Sequence, residues 1–155
     1  MRLLKNRRSD ISAVDVDVSP PMLDAARKNF ANDHGVELME HDLEYGLSNT
    51  GNFAVISGFT IHHLSNERKL SVYKEIYDIL NPEGVFCNLD NVDSPSEKHH
   101  IRFLYAIGFT PETESKSDNL LSMETQLTWL KEIGFKDVDC YWKWLEMALL
   151  IGYKL

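Results

Sequence analysis

The stretch Ile11–Met22 (ISAVDVDVSPPM) constrains the fold more than any other part of the sequence. Its apolar residues are β-branched or small, and this predicts a strand over 11–18 that is covered on both faces. Ser19 and Pro20 predict the start of a helix, because serine is a frequent N-cap and proline suits the first helical position. Asp17 therefore falls at the carboxyl end of a strand, where open α/β sheets bind ligands.

The composition is that of one soluble globular domain. The chain has 155 residues, of which 43% are hydrophobic and 26% are charged, enough for a sizeable core. A net charge of −8 argues against a nucleic-acid partner, because phosphate binding needs clustered lysine and arginine. The short basic cluster over 2–8 is interpreted as a solvated helix end rather than a nucleic-acid arm. We expect a single domain over 1–155 and a small-molecule partner.

The cysteines indicate a reducing compartment. Cys87 and Cys140 both lie in apolar, strand-like runs, which is typical of free buried thiols. No apolar run approaches the ~20 residues of a membrane span, and the N-terminus lacks a signal-peptide core. A cytoplasmic location without membrane contact is expected.

Strand and helix patterns alternate along the chain. The first helix is expected from Pro20 to about Asp33, with Gly35 closing it, and a short strand over 36–43 is expected to end at Asp42. Further strands are predicted over 53–56, 85–92, 137–143 and 147–154, and further helices over 67–80, 95–107 and 123–133. This order predicts an α/β fold with a mostly parallel sheet and a C-terminal antiparallel hairpin.

Several short motifs occur in a characteristic order. They are Asp17-Val18-Ser19-Pro20-Pro21-Met22-Leu23, His41-Asp42-Leu43, FAVISGFTIHHL over 53–64, and Ile79-Leu80-Asn81-Pro82-Glu83-Gly84. Together with the terminal hairpin over 136–154, this order resembles the class I S-adenosylmethionine-dependent methyltransferases. The resemblance covers nearly the whole chain from Ile11 onward and implies a Rossmann-like three-layer sandwich.

The resemblance implies S-adenosylmethionine as the cofactor, with five residues around its nucleoside. Asp17 would accept hydrogen bonds from the ribose hydroxyls, or it would stabilise the following helix as a first-turn carboxylate. Asp42 would receive the adenine amino group beside Leu43, or it would be a surface turn residue. Val18 and Met22 complete the set, although Met22 also suits a core stripe.

The resemblance implies further roles after the fourth strand of the family. Gly58 would let the backbone pass close to the methionine part of the cofactor. His62 or His63 would act as a general base on a substrate hydroxyl or amine, or both would shape the turn. The stretch 97–100 contains two histidines and a glutamate, but its spacing matches no zinc signature, so no metal site is predicted.

The family's first strand and Gly-rich loop have no counterpart here. No GxGxG occurs, and only ten residues precede Ile11. We expect an N-terminally truncated version of the fold. The strands that flank the missing one would pair directly, be covered by another chain, or belong to a longer protein.

The leading expectation is methyl transfer from S-adenosylmethionine to an unidentified small molecule, which depends mainly on positioning donor and acceptor. A non-catalytic binding or oligomerisation module of the same fold is the alternative, and a dinucleotide-binding oxidoreductase is a third. The segment 93–119, with Arg102, Phe103 and Tyr105, is expected to be a substrate lid or a plain covering helix.

Overall fold

The computed structural model describes residues 10–47, 51–114 and 118–155. The chain divides into two compact units, Met1–Tyr45 and Gly46–Leu155. The described strands lie in a two-stranded sheet and a four-stranded sheet. The basic cluster over 2–8 lies outside the described residues.

The first unit contains one strand–helix–strand motif. Its elements are β1 (Ala13–Asp17), α1 (Pro20–Asn29) and β2 (Val36–Glu40). The two strands are parallel, with Ala13 opposite Val36 and Asp17 opposite Glu40. Helix α1 buries Leu23. Both strands therefore end at the same edge of their sheet.

The burial predicted for β1 is wrong. Val16 is 37% exposed, and Val18, just beyond the strand, is 56% exposed. Among the described strands β1 pairs with β2 alone, in a sheet of two strands. Direct pairing of β1 with the strand predicted over 53–56, one of the expected alternatives, is not seen in the described residues.

The boundaries of α1 and β2 also differ from the prediction. Helix α1 ends at Asn29, four residues before Asp33, and Gly35 donates its N–H to the Asp33 carboxylate instead of closing the helix. Ser19 precedes α1 as predicted, but its side chain makes no capping hydrogen bond. Strand β2 ends two residues before Asp42.

The second unit holds the larger sheet. Its strands are β3 (Asn52–Gly58), β4 (Leu80–Asn91), β5 (Lys136–Trp144) and β6 (Met147–Lys154). Its helices are a 3₁₀ turn (Ile61–His63), α2 (Asn66–Ile79), α3 (Glu97–Ala106) and α4 (Met123–Ile133). The sheet order is β3-β4-β6-β5, with β3 parallel to β4 and β6 antiparallel to both of its neighbours. This confirms the Rossmann-like α/β class and the antiparallel terminal hairpin.

Three serines begin the helices of the second unit. Ser65, Ser96 and Ser122 each accept a hydrogen bond from the backbone N–H three residues later. Each of these serines is therefore the N-cap of its helix. Helix α3 begins at Glu97, two residues later than predicted.

The core of the second unit lies between this sheet and its helices. Its most deeply buried large side chains include Tyr73, Phe86, Leu130, Phe135 and Leu150. Both cysteines are free, as predicted, but they are half-buried rather than buried. No helix in the described parts of the chain is long and apolar enough to cross a membrane.

Candidate functional site

Two carboxylates follow the parallel strands of the first unit. Asp17 is the last residue of β1, and its Oδ1 accepts a hydrogen bond from the Ser19 backbone N–H at 2.8 Å. Asp42 follows β2, and its Oδ1 accepts the Glu44 backbone N–H at 2.9 Å. Both are Asx turns, which fix the direction of a carboxylate. Each bond uses one of about four acceptor positions, so both carboxylates retain capacity for hydroxyl or amine donors.

Apolar side chains accompany these carboxylates. Val18 and Met22 are 56% and 58% exposed, and Leu43 is half-buried. The alternative in which Met22 belongs to the core is therefore wrong. Carboxylate acceptors with nearby apolar side chains suit a ligand that has both a hydroxyl-bearing ring and a flat apolar ring. The residues present therefore fit the ribose and adenine of S-adenosylmethionine.

In the second unit, the backbone at the end of β3 has free space beside it at Gly58. A Cβ added at Gly58 would meet no atom within 4 Å. Phe59 follows with a φ of 52°, a conformation that is costly for a bulky residue. The chain then turns into the 3₁₀ helix that carries the two histidines.

His62 is held by a buried carboxylate at the end of β4. The side chains of His62 and Asp90 are 6% and 3% exposed, and His62 Nδ1 lies 2.5 Å from Asp90 Oδ1. Asp90 Oδ2 also accepts the His62 backbone N–H at 3.0 Å, and Oδ1 accepts the Asn91 N–H at 3.0 Å. A carboxylate accepts only, so His62 carries a proton on Nδ1 and presents Nε2 elsewhere.

His63 faces a second carboxylate. Its side chain is 48% exposed, and its Nδ1 lies 3.3 Å from Asp118 Oδ1. The same oxygen lies 3.7 Å from His62 Nε2. The centroids of the two imidazole rings are 3.9 Å apart. The structure thus brings both predicted histidines together with two aspartates that the sequence analysis did not select.

A buried lysine fixes the segment that carries Asp118. Lys69 Nζ donates to the Leu64 carbonyl at 2.8 Å and to the Asn119 carbonyl, while the Asn119 N–H donates to the His62 carbonyl at 3.0 Å. Burial lowers the pKa of Lys69, and the negative charge of Asp90 partly opposes this. The position of Asp118 is therefore set by bonds to the histidine turn.

Comparison with known proteins identifies the family. The methyltransferase-domain family matches residues 1–84. The chain belongs to this methyltransferase-domain family. Membership confirms the resemblance predicted from the sequence, and S-adenosylmethionine is the cofactor of the family.

The relatives of this methyltransferase-domain chain are distant. A carboxy-S-adenosyl-L-methionine synthase from Nautilia profundicola is 26% identical over 168 residues, covering 97% of this chain and 70% of that protein. The methyltransferase SibL in its apo form superposes with a TM-score of 0.73 at 18% identity, and "PigF with SAH" with 0.68 at 17%. These matches cover 98% and 99% of this chain, but 46% of each solved chain. The chain thus spans about half the length of these two solved proteins. At this level of identity, the structural similarity shows that it shares their fold.

A further cluster of polar side chains connects α3 with the turn of the terminal hairpin. His100 Nδ1 lies 2.8 Å from Oε1 of the buried Glu146, and Nε2 lies 3.0 Å from Glu114. Ser94 also donates to Glu146. Burial alone lowers the pKa of His100, but the hydrogen bonds and charges of the two glutamates outweigh it, so the pKa is raised. Nothing in the sequence spacing indicated this cluster.

The candidate lid is only partly exposed. Phe103 is 3% exposed and packs edge-on against Trp144 at 6.4 Å between ring centroids. Arg102 and Tyr105 are exposed. Phe103 is thus a core residue of the covering helix, while a lid role for the other two stays a prediction.

Proposed function

We propose that this chain binds S-adenosylmethionine and transfers its methyl group to a small-molecule acceptor. The observation that carries the proposal is the pair of carboxylates, Asp17 and Asp42, after parallel strands inside the segment 1–84 that matches the family. When bound, S-adenosylmethionine supplies an activated methyl group. The protein's own residues then serve to bind, orient and accept a proton.

The first unit is proposed to hold the nucleoside. Asp17 accepts hydrogen bonds from the two ribose hydroxyls, a bidentate role that its turn geometry supports. Asp42 accepts the adenine amino group, and the exposed Val18 and Met22 together with Leu43 provide the apolar contacts. These roles are chemically compatible with a neutral, hydroxyl-rich ring.

The second unit is proposed to act on the acceptor. The backbone at Gly58 is open to a close approach by the methionine part of the cofactor. His63 is the better placed of the two predicted bases, because its side chain is 48% exposed while that of His62 is 6% exposed. With Asp118 beside its Nδ1, His63 would accept the acceptor's proton on Nε2. His62 then acts as a positioning residue held by Asp90.

The charge pattern favours a neutral or cationic small acceptor. Asp90, Asp118, Glu114 and Glu146 surround the two histidine clusters of the second unit. These carboxylates and the net charge of −8 disfavour nucleic acid. The half-buried free cysteines are compatible with a cytoplasmic setting, which remains part of the proposal.

Calorimetric titration with S-adenosylmethionine and S-adenosylhomocysteine tests the proposal. The informative variant is Asp17→Asn, which keeps one oxygen for the Ser19 N–H but removes a charged acceptor. Affinity should fall at least tenfold, which corresponds to about 1.4 kcal/mol. Asp24→Asn is the matched control, because Asp24 lies on α1, is exposed and pairs with Arg27. Absence of saturable binding to the wild-type chain at millimolar ligand contradicts the proposal.

The names of the relatives favour a second candidate function. Eight relatives that cover 90–99% of this chain are carboxy-S-adenosyl-L-methionine synthases. In that case a carbon of S-adenosylmethionine would lose a proton and gain a carboxyl group from a second, carboxylate-bearing substrate, whose carbon takes up a proton in place of the carboxyl group, and no methyl group would be donated. Mass spectrometry of the cofactor pool, after incubation with a small-molecule extract, separates the two. S-adenosylhomocysteine supports methyl transfer, whereas a carboxylated S-adenosylmethionine supports the second reaction.

Self-association is a third possibility that the edge of the larger sheet favours. Strand β3 is an edge strand, and its Phe53 and Ile56 are 75% and 56% exposed. A binding module that pairs through this edge would be a dimer in light scattering, and Phe53→Ser would make it monomeric. A wild-type monomer would contradict this candidate without affecting the other two.

A further inference from the structure

Three metal-binding atoms converge beside the 3₁₀ helix. His62 Nε2, His63 Nδ1 and Asp118 Oδ1 all lie within 4.8 Å of one another. The Asp118 oxygen lies 3.7 Å from the first nitrogen and 3.3 Å from the second. His62 is buried, Asp118 half-buried and His63 exposed, so the cluster runs from the interior to the surface.

The hydrogen bond between His62 and Asp90 leaves the other ring nitrogen of His62 facing Asp118. Asp90 accepts the proton on Nδ1, so Nε2 of a neutral His62 presents a lone pair. That lone pair faces a carboxylate oxygen of Asp118 at 3.7 Å. A metal cation that lies between these two atoms would bind both of them.

The two separations from the Asp118 oxygen suit a tetrahedral cation. Zinc binds imidazole nitrogen and carboxylate oxygen at about 2.0–2.2 Å, which places two ligand atoms roughly 3.3–3.5 Å apart in a tetrahedron. The observed separations from Asp118 Oδ1 are 3.3 and 3.7 Å. Two nitrogens and one oxygen favour zinc and related transition metals over magnesium or calcium.

The surroundings of His62 match those of a metal ligand. A histidine that binds a metal through one nitrogen commonly donates its other N–H to a carboxylate, which fixes the ring. Asp90 has this position, and it is itself fixed by two backbone N–H groups. The ring of His62 is thus oriented before any ion arrives.

We propose that His62, His63 and Asp118 form a binding site for a divalent transition metal of the zinc type. Three protein ligands leave a fourth position for water or for a hydroxyl of the acceptor. The site goes beyond the proposed methyl transfer and stands without it. If both hold, the cation instead of His63 activates the acceptor, because a metal on Nδ1 leaves the proton of His63 on Nε2.

The test is a titration of the full chain, freed of metal by a chelator, with Co²⁺. Four-coordinate Co²⁺ absorbs visible light strongly, and we expect one equivalent per chain, displaced by Zn²⁺. His63→Ala is the decisive variant, since an exposed side chain can be removed without disturbing the core, and it should weaken binding at least tenfold. Asp118→Asn should do the same. Circular dichroism confirms that each variant is folded.

His99→Ala is the control, because His99 is an exposed histidine on α3 whose Nδ1 lies 2.8 Å from Ser96 Oγ. It should bind Co²⁺ like the wild-type chain. Absence of a saturable visible spectrum, or a spectrum unchanged by His63→Ala, overturns the metal site. Equal loss in His99→Ala shows adventitious surface binding and also overturns it. Titration of the same variants with S-adenosylmethionine shows separately whether the proposed function fails.

Discussion

Replacement of Asp90 by asparagine should destabilise residues 46–155 by about 3 kcal/mol. The carboxylate uses both oxygens, accepting from His62 and Asn91 on Oδ1 and from the His62 backbone on Oδ2. An amide has one acceptor oxygen, so at least one buried N–H loses its partner, at about 1–3 kcal/mol. The remaining hydrogen bonds lose their charged acceptor, and Lys69 loses a nearby negative charge. Together these two changes add about 1 kcal/mol to the loss of stability.

Tryptophan fluorescence in urea measures this change in the relevant unit. All three tryptophans, Trp129, Trp142 and Trp144, lie within the second unit. With a urea dependence of about 2 kcal/mol per molar, a loss of 3 kcal/mol lowers the unfolding midpoint by about 1.5 M. Asp78→Asn, on the exposed face of α2, is the matched control and should leave the midpoint unchanged.

A midpoint for Asp90→Asn within about 0.3 M of the control would contradict this prediction. That result would mean that the buried carboxylate contributes no more than an exposed one. It would also remove the basis for a fixed His62 ring.

Three other changes test different parts of the structure. The raised pKa of His100 means that its contacts with Glu146 and Glu114 stabilise the fold fully below the ordinary value of 6.5 and progressively less as pH rises through the raised value. The gap in unfolding free energy between wild type and His100→Gln should therefore shrink with rising pH in urea titrations; a constant gap would contradict it. Gly58→Ala should leave the urea midpoint unchanged, because a Cβ has open space, but should weaken calorimetric binding of S-adenosylmethionine; unchanged binding would exclude a close approach there. Gly134→Ala should cost about 1–3 kcal/mol, because φ is 126°, and thermal unfolding at the wild-type temperature would refute this.

The elements of the second unit could be predicted well from sequence because their signals are local. Serine caps at 65 and 122 and glycine at 134 stand where the helices begin and end. The terminal hairpin has two apolar runs separated by a short turn. Such features depend on neighbouring residues in the chain, so no long-range information was needed.

The errors in the first unit have a tertiary cause. The apolar residues of β1 predicted a strand covered on both faces, but Val16 is 37% exposed. Coverage depends on which elements pack on the strand, and the strand's own sequence does not specify this. The end of α1 was also missed, because Asp33 and Gly35 form their own turn after the helix has ended.

The histidine cluster could be predicted only in part. His62 and His63 were selected from a motif, but their carboxylate partners come from other segments. A signal for Asp90 existed, since an acidic residue inside an apolar strand is rarely buried without a partner. Asp118 carries no such signal, because a polar stretch surrounds it in the sequence and tertiary contacts bring it to the turn.

The place of β6 in the sheet also determines the order in which the larger sheet can assemble. Strand β6 is the last described strand to be synthesised, yet it lies between β4 and β5. Until Met147–Lys154 has left the ribosome, β4 has one unpaired edge and β5 has no partner in its sheet. A nascent chain therefore carries unpaired strand edges from the synthesis of β4 until that of β6, and such edges make folding intermediates prone to aggregation.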